Sequence, residues 1–335
     1  MRRIYVALGA LATAGCGLVG VDADSDDEAE GATAQAGVAS APRRSGDEPT
    51  APAAAAAFGV PGMTPEQVTD GVRAALDAVR EGRDAIDAAV HGAAALERLA
   101  CQRRLTESVR SCALLAPQVD AAVMDSTGKF GSVLLLEHSA HPVSVAQAVA
   151  ATPFLTLVGD SALAFSGLAA ASPQPLPTAS PEAASMTTAV GETAGAAAAP
   201  PAPAVMGSLG LFGVLVRTGT GAYAGAVSTE WAQRVPRGRT SAVPYVGAAL
   251  YAGTHGAVAV SGDVNALMRK QIARKVHDEI AGGTPLKEVV EQSVQDAGSA
   301  ALSVVALGQR ASHAASNRRM PWAQLALKSE ANALD

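Results

Sequence analysis

A junction near residue 208 constrains this chain more than any other feature. Residues 172–207 are rich in Ala, Pro, Ser and Thr, carry no apolar period, and run out through AAAAPPAPAVMGS (196–208). Such a segment buries too little apolar surface to offset the entropy of ordering it, so it reads as a surface linker. Immediately beyond lies LFGVLVR (211–217), an apolar run followed by a Thr-Gly-Thr-Gly turn, which reads as a core strand. A structureless tract therefore ends almost at the first position of a core strand, Leu211. Two physical readings account for a surface tract inside a folded unit. One is an insertion tolerated between two halves. The other is maturation by chain cleavage: a nucleophile that must carry a free α-amine needs the preceding peptide bond cut, and the amine then serves as base for its own hydroxyl.

Composition narrows the partners. The chain has 335 residues, enough for one large domain or two small ones, and is 49% hydrophobic with only 3% aromatic residues. Its core must therefore be built from Ala, Val and Leu rather than from stacked rings. A net charge of -6 argues against nucleic acid as a partner. Nothing calls for a cofactor or a metal: there is no phosphate loop, no GxGxxG after a strand, no CxxC and no zinc spacing. His138 and His141 share the segment HSAH without a third ligand in reach, which reads as a strand-to-helix corner.

The N-terminus reads as a targeting segment. Arg2 and Arg3 precede an apolar run, Ile4 to Ala14, too short to span a bilayer, and LATAGCG follows. This resembles a bacterial lipoprotein signal over residues 1–16 with Cys16 as the lipidated first residue; Thr13 stands where an aliphatic is usual. An ordinary secretory signal with an incidental Cys is the alternative. Lipidation implies a membrane partner through the anchor and a place in the bacterial cell envelope. Gly17, where an Asp would mark inner-membrane retention, favours the outer membrane or periplasmic side. Residues 17–62, acidic and then Pro/Ala-rich, read as a disordered tether. In that oxidising setting Cys101 and Cys112 are disulfide candidates, and a bridge across so short a loop stabilises by about 2–3 kcal/mol on the chain-entropy model.

Order is predicted to begin near Thr64, where Thr64-Pro65-Glu66-Gln67 offers an N-cap, a proline at the first helical position and a capping-box Gln. Val68, Val72, Leu76 and Val79 follow at helical spacing, and a second Ala-rich helix carries Ile86, Ala89, Val90, Ala93 and Leu96. The first half, 63–171, continues with strands over 119–125 and 130–137, a helix over 143–151, a strand over 154–159 and a short helix through Phe165. The second half, 208–325, holds strands over 211–217 and 222–228, an Arg/Gly/Pro loop, a strand over 256–260, helices near 263–281 and 284–298, and strands over 302–307 and near 311–316, running into SNRRMPW. Residues 326–335 read as a tail. Antiparallel strand pairs with paired helices favour sheets covered by helix layers over a doubly wound fold.

These pieces resemble, in one order across 64–325, the isoaspartyl peptidase/plant-type L-asparaginase family of N-terminal-nucleophile hydrolases. DAAVMD (120–125) is similar to the family's DAAIMD, and LDAVREGRDAIDAAVHGAAALE (76–97) to its paired N-terminal helices. PVSVAQAVAATPFLTLVGDSALAF (142–165) resembles its NP-helix-TPHVLLVG segment, and SNRRM (316–320) its closing FNTPRM. GLFGVLV (210–216), STEW (228–231), RGRTSAVPYVGAALYA (237–252) and GAVAVSGDVNALMR (256–269) fall on the strand, turn, loop and strand-to-helix pieces of its second half. The resemblance implies an α+β, four-layer αββα sandwich and suggests a homodimer.

The family's site is matched only in part. Its nucleophilic Thr falls on Leu211, which has no hydroxyl. Its second Thr falls on Thr229, and the Arg that holds the substrate carboxylate falls on Arg239. The Asp that pairs the substrate ammonium falls on Ala242, and its Thr-Gly pair on Ser261-Gly262. The family's Asn-Ala-Gly motif and its HGGAG opening strand have no counterpart here. The chain thus reads as a degenerate member able to take a small carboxylate or amino-acid-like ligand through Arg239. The alternative is an active asparaginase or isoaspartyl peptidase with another Thr or Ser exposed. Each retained residue also has a plainer role: Arg239 as a loop contact, Thr229 bonded within its turn, Ser261 as a helix cap. Asp120 and Asp125 read as turn or edge residues.

Overall fold

Alternation of small apolar residues builds the centre of this protein. The structure is a computed structural model that describes residues 53–105, 118–137, 139–159, 161–162, 164–165, 186–193, 210–230 and 238–327. Eight strands form one sheet: β1 (Ala54–Phe58), β2 (Val119–Asp125), β3 (Phe130–Leu136), β4 (Thr156–Val158), β5 (Met186–Thr193), β6 (Leu211–Arg217), β7 (Tyr223–Thr229) and β12 (Met320–Leu327). Their order is β4-β3-β2-β7-β6-β1-β12-β5, antiparallel except for the β3–β4 pair. The second sheet runs β11 (Ser312–Ser316), β10 (Leu302–Leu307), β9 (Gly256–Gly262), β8 (Leu250–Gly253).

Successive residues of a strand face opposite sides, and the two cores divide along that period. Ala55, Ala57, Phe212, Val214 and Val216 face one core, shared with the helices α1 (Pro65–Arg80), α2 (Ala85–Gln102) and α3 (Pro142–Ala150). Ala54, Ala56, Phe58, Leu211 and Leu215 face the other, shared with Val258, Val260, Val304 and Val305 of the smaller sheet. Helices α4 (Val264–Lys270), α5 (Ile272–Ala281) and α6 (Leu286–Asp296) cover that smaller sheet, with Ile272, Ala273, Val276, Val289 and Val290 buried. The result is a four-layer αββα sandwich, α+β in class.

The helix termini follow the sequence signals. Thr64 and Gln67 form a reciprocal capping box with Pro65 at the first position, and Val68, Val72 and Leu76 are fully buried. Helices α1 and α2 cross at Gly71 and Gly92, where a Cβ on Gly92 would sit 2.6 Å from the Gly71 carbonyl oxygen. The single helix expected near 263–281 is two, because Gln271 adopts a left-handed φ of 45° and turns the chain between α4 and α5.

Four expectations are corrected. The tether does not extend to residue 62: Ala54–Phe58 is a buried strand in the large sheet, paired to β6 on one side and β12 on the other. Alanine makes this possible, being small enough to sit under the helices on one face and against the second sheet on the other. Phe58, the one large side chain, fills the space opposite Gly213. An opening strand is therefore present although its family sequence is not. The linker 172–207 likewise contains a strand, β5, which pairs along β12 over its whole length. The tail does not begin at 326, since β12 runs to Leu327 and returns from the smaller sheet to the larger. Finally, the Arg/Gly/Pro loop closes on strand β8, which forms the edge of the smaller sheet. Because β1, β2 and β3 interleave with β6, β7 and β12, the two halves share one sheet. Residues 1–52, the linker portions 172–185 and 194–207, and the tail beyond 327 lie outside the described residues, as do Cys16, Cys112 and His138.

Candidate functional site

The head of β6 is where both sheets meet. Leu211 opens the strand and stands directly opposite Thr229, the last residue of β7. They are 3% and 2% exposed, so neither faces solvent freely. The Leu211 backbone N–H donates to Ser261 Oγ in β9 at 3.4 Å, which joins the large sheet to the small one at this point. Ser261 is not the helix cap: Asp263 Oδ1 accepts from the Ala266 N–H at 2.8 Å instead. Gly262 has a steric reason, since a Cβ there would lie 2.2 Å from the Ala301 carbonyl oxygen.

Thr229 does not bond within its turn. Its Oγ1 accepts from the backbone N–H of Asp120 at 2.9 Å. Asp120, 3% exposed, is neither a turn nor an edge residue. Its Oδ1 accepts from the Leu135 N–H at 2.8 Å and its Oδ2 from the Ser241 N–H at 2.6 Å. The β2–β3 register shifts between Val119 and Ala121, and Leu135 takes a left-handed φ of 51°. That conformation costs a non-glycine residue about 1–2 kcal/mol, which the charge-assisted bond to Asp120 helps offset. Burial pushes the Asp120 carboxyl up, and the Leu135 and Ser241 donors pull it back. Asp125, at the far end of β2, does hold a turn, accepting from the Thr127 and Lys129 N–H groups.

Arg239 is held between two anchors. The Gly238 N–H donates to Gln118 Oε1 at 2.7 Å, and Ser241 is fixed to Asp120. Arg239 is half-buried and makes no hydrogen bond or ion pair among the described residues. Ala242, where an acid was the family pattern, is fully buried in the inter-sheet core. Structure therefore brings together Leu211, Thr229 and Ser261 by direct contact, and places the Arg239 loop on the strand that bonds Thr229. Thr218 and Thr220 sit at the opposite end of β6, bonded to each other in its turn.

On the helix side of β7 lies a group that sequence reasoning missed. Glu97 of α2 is fully buried, and its Oε1 accepts from the Val143 N–H at 3.0 Å. Its Oε2 lies 4.0 Å from His141 Nδ1. Burial raises the Glu97 carboxyl to about 8, against the opposing pull of the Val143 N–H and the Ser228 hydroxyl. Burial and the Arg98 charge lower the His141 imidazole. The available signal was spacing: Ala93, Glu97 and Cys101 recur every four residues on the buried face of α2. Cys101 is fully buried and disulfide-bonded. Among the described residues no group of three His, Cys, Asp or Glu is placed to hold a metal ion.

Two antiparallel-rich sheets packed face to face between helix layers, with the candidate site at the head of a central strand, define an N-terminal-nucleophile hydrolase fold. A family model described as Asparaginase matches residues 63–332. The chain belongs to the isoaspartyl peptidase/L-asparaginase family of that superfamily. A search of curated proteins finds no match.

Proposed function

We propose that this protein is a catalytically degenerate asparaginase-family member that binds a small carboxylate through Arg239 and is carried on a lipid anchor at Cys16 in the bacterial cell envelope. The observation that carries the reading is Leu211. It stands at the head of β6 opposite Thr229, its side chain is packed in the inter-sheet core, and it offers no hydroxyl to attack an amide or cut the chain. Among the described residues, the other hydroxyls considered do not fill the place. Thr187, Thr188 and Thr193 lie on β5, separated from β6 by β12 and β1. Ser261 accepts from an amide N–H and belongs to the facing sheet. Arg239 supplies a cation on an anchored loop, and Ala242 itself contributes no carboxylate to pair an ammonium.

The test is a paired assay with L-asparagine and an isoaspartyl dipeptide for turnover, and L-aspartate for binding by calorimetry. The expected result is no ammonia or amino-acid release, with measurable L-aspartate binding that an Arg239→Ala change removes. Turnover at any rate above background contradicts the reading of lost catalysis. Binding unchanged in the Arg239→Ala variant contradicts the role of Arg239.

A further inference from the structure

We propose that Asp120 is the positioning residue of this site: its buried carboxylate sets the Arg239 loop, and its backbone N–H sets Thr229, in register with the head of β6. The geometry is specific. The backbone N–H of Asp120 reaches Thr229 Oγ1, Oδ2 takes the Ser241 N–H, and Oδ1 takes the Leu135 N–H. Three separate parts of the chain, β3, β7 and the loop at 238–241, therefore meet on one residue. Each bond is between 2.6 and 2.9 Å. An ionised carboxylate is an acceptor only, so each of its two oxygens satisfies one of these donors, whereas an Asn there would set its N–H₂ against one of them. At the register shift between Val119 and Ala121, Leu134 and Leu135 of β3 together stand opposite Asp120, so the extra residue lies in β3 beside the carboxylate. Leu135 is held in a conformation a free chain avoids, and that conformation presents its N–H to Oδ1.

Asp120 acts through Arg239 and Thr229 rather than on a ligand directly. Its consequence for a ligand rests on Arg239 as the carboxylate partner, so the decisive readouts use no ligand. In the full unmodified chain, the Ser241 amide exchanges with deuterium more slowly than its loop neighbour Thr240 by at least about tenfold, as a buried charge-assisted bond requires. Equal exchange at the two positions overturns the proposal, whatever the variants do. In Asp120→Asn, the amide group keeps one acceptor and sets an N–H₂ against the other donor. Protection is then lost at Leu135 or Ser241, and Arg239 reacts faster with phenylglyoxal, followed by peptide mass. Asp120→Ala loses both protections. Asp125→Ala is the control, because it breaks a turn at the other end of the same strand. A folded Asp120→Asn protein with Arg239 reactivity unchanged, or an equal rise in Asp125→Ala, overturns the assignment to Asp120. Failure of L-aspartate to bind the unmodified chain counts against the function of Arg239 alone.

Discussion

At the scale of single residues, Leu211 opens β6 opposite Thr229, and its side chain belongs to the inter-sheet core rather than to an open pocket. Leu211→Ala is therefore expected to cost about 2–4 kcal/mol by chemical denaturation, as for other buried leucines. A change within about 0.5 kcal/mol would mean that the side chain lies at a surface instead. The place of Leu211 at a strand head was legible, because an apolar run follows the Pro/Ala tract directly. What was not legible was the company these residues keep. Nothing in the string VDAAVMD shows that Asp120 turns inward to bond a strand and a loop 109 and 121 residues away. Side-chain bonds over such separations leave no local period.

Among elements, legibility followed the strength of the periodic signal. Helix α1 carried a capping box, a proline and a clean apolar stripe, and it forms as those signals direct. Strand β1 carried only alanines before its final Phe, which look the same in a tether as in a strand compressed between two layers. Glu97 shows the converse, a charged residue on the buried face of a helix. Its folded carboxyl is held at about 8 against an ordinary 4.5, because burial disfavours the anion. The neutral acid is thus the form that the fold prefers. Its contribution to stability is fully present below pH 4.5 and is lost as pH rises through about 8. The loss is roughly a few kcal/mol by linkage. Denaturation at pH 5, 7 and 9 is expected to show the unmodified chain weakening across that range and Glu97→Gln weakening much less. Equal slopes in both proteins would show that Glu97 ionises freely in the folded state.

For the whole molecule, the interleaved sheet matters more than the division into halves. The family match begins at residue 63, but β1 lies before it and supplies a strand between β6 and β12. A chain beginning at Pro49 is expected to unfold cooperatively, whereas one beginning at Met63 leaves β6 and β12 without their shared neighbour and loses that transition. A cooperative transition of equal midpoint in both would remove β1 from the core. The same sheet bears on the central claim, because a family built for chain cleavage here presents an aliphatic residue at the head of β6. The most direct test is the intact mass of the protein purified from a bacterial envelope after expression of the full chain. One uncut polypeptide beginning at a lipid-modified Cys16 is the expected result. Two fragments, the second opening on a new N-terminal Thr or Ser, would contradict it.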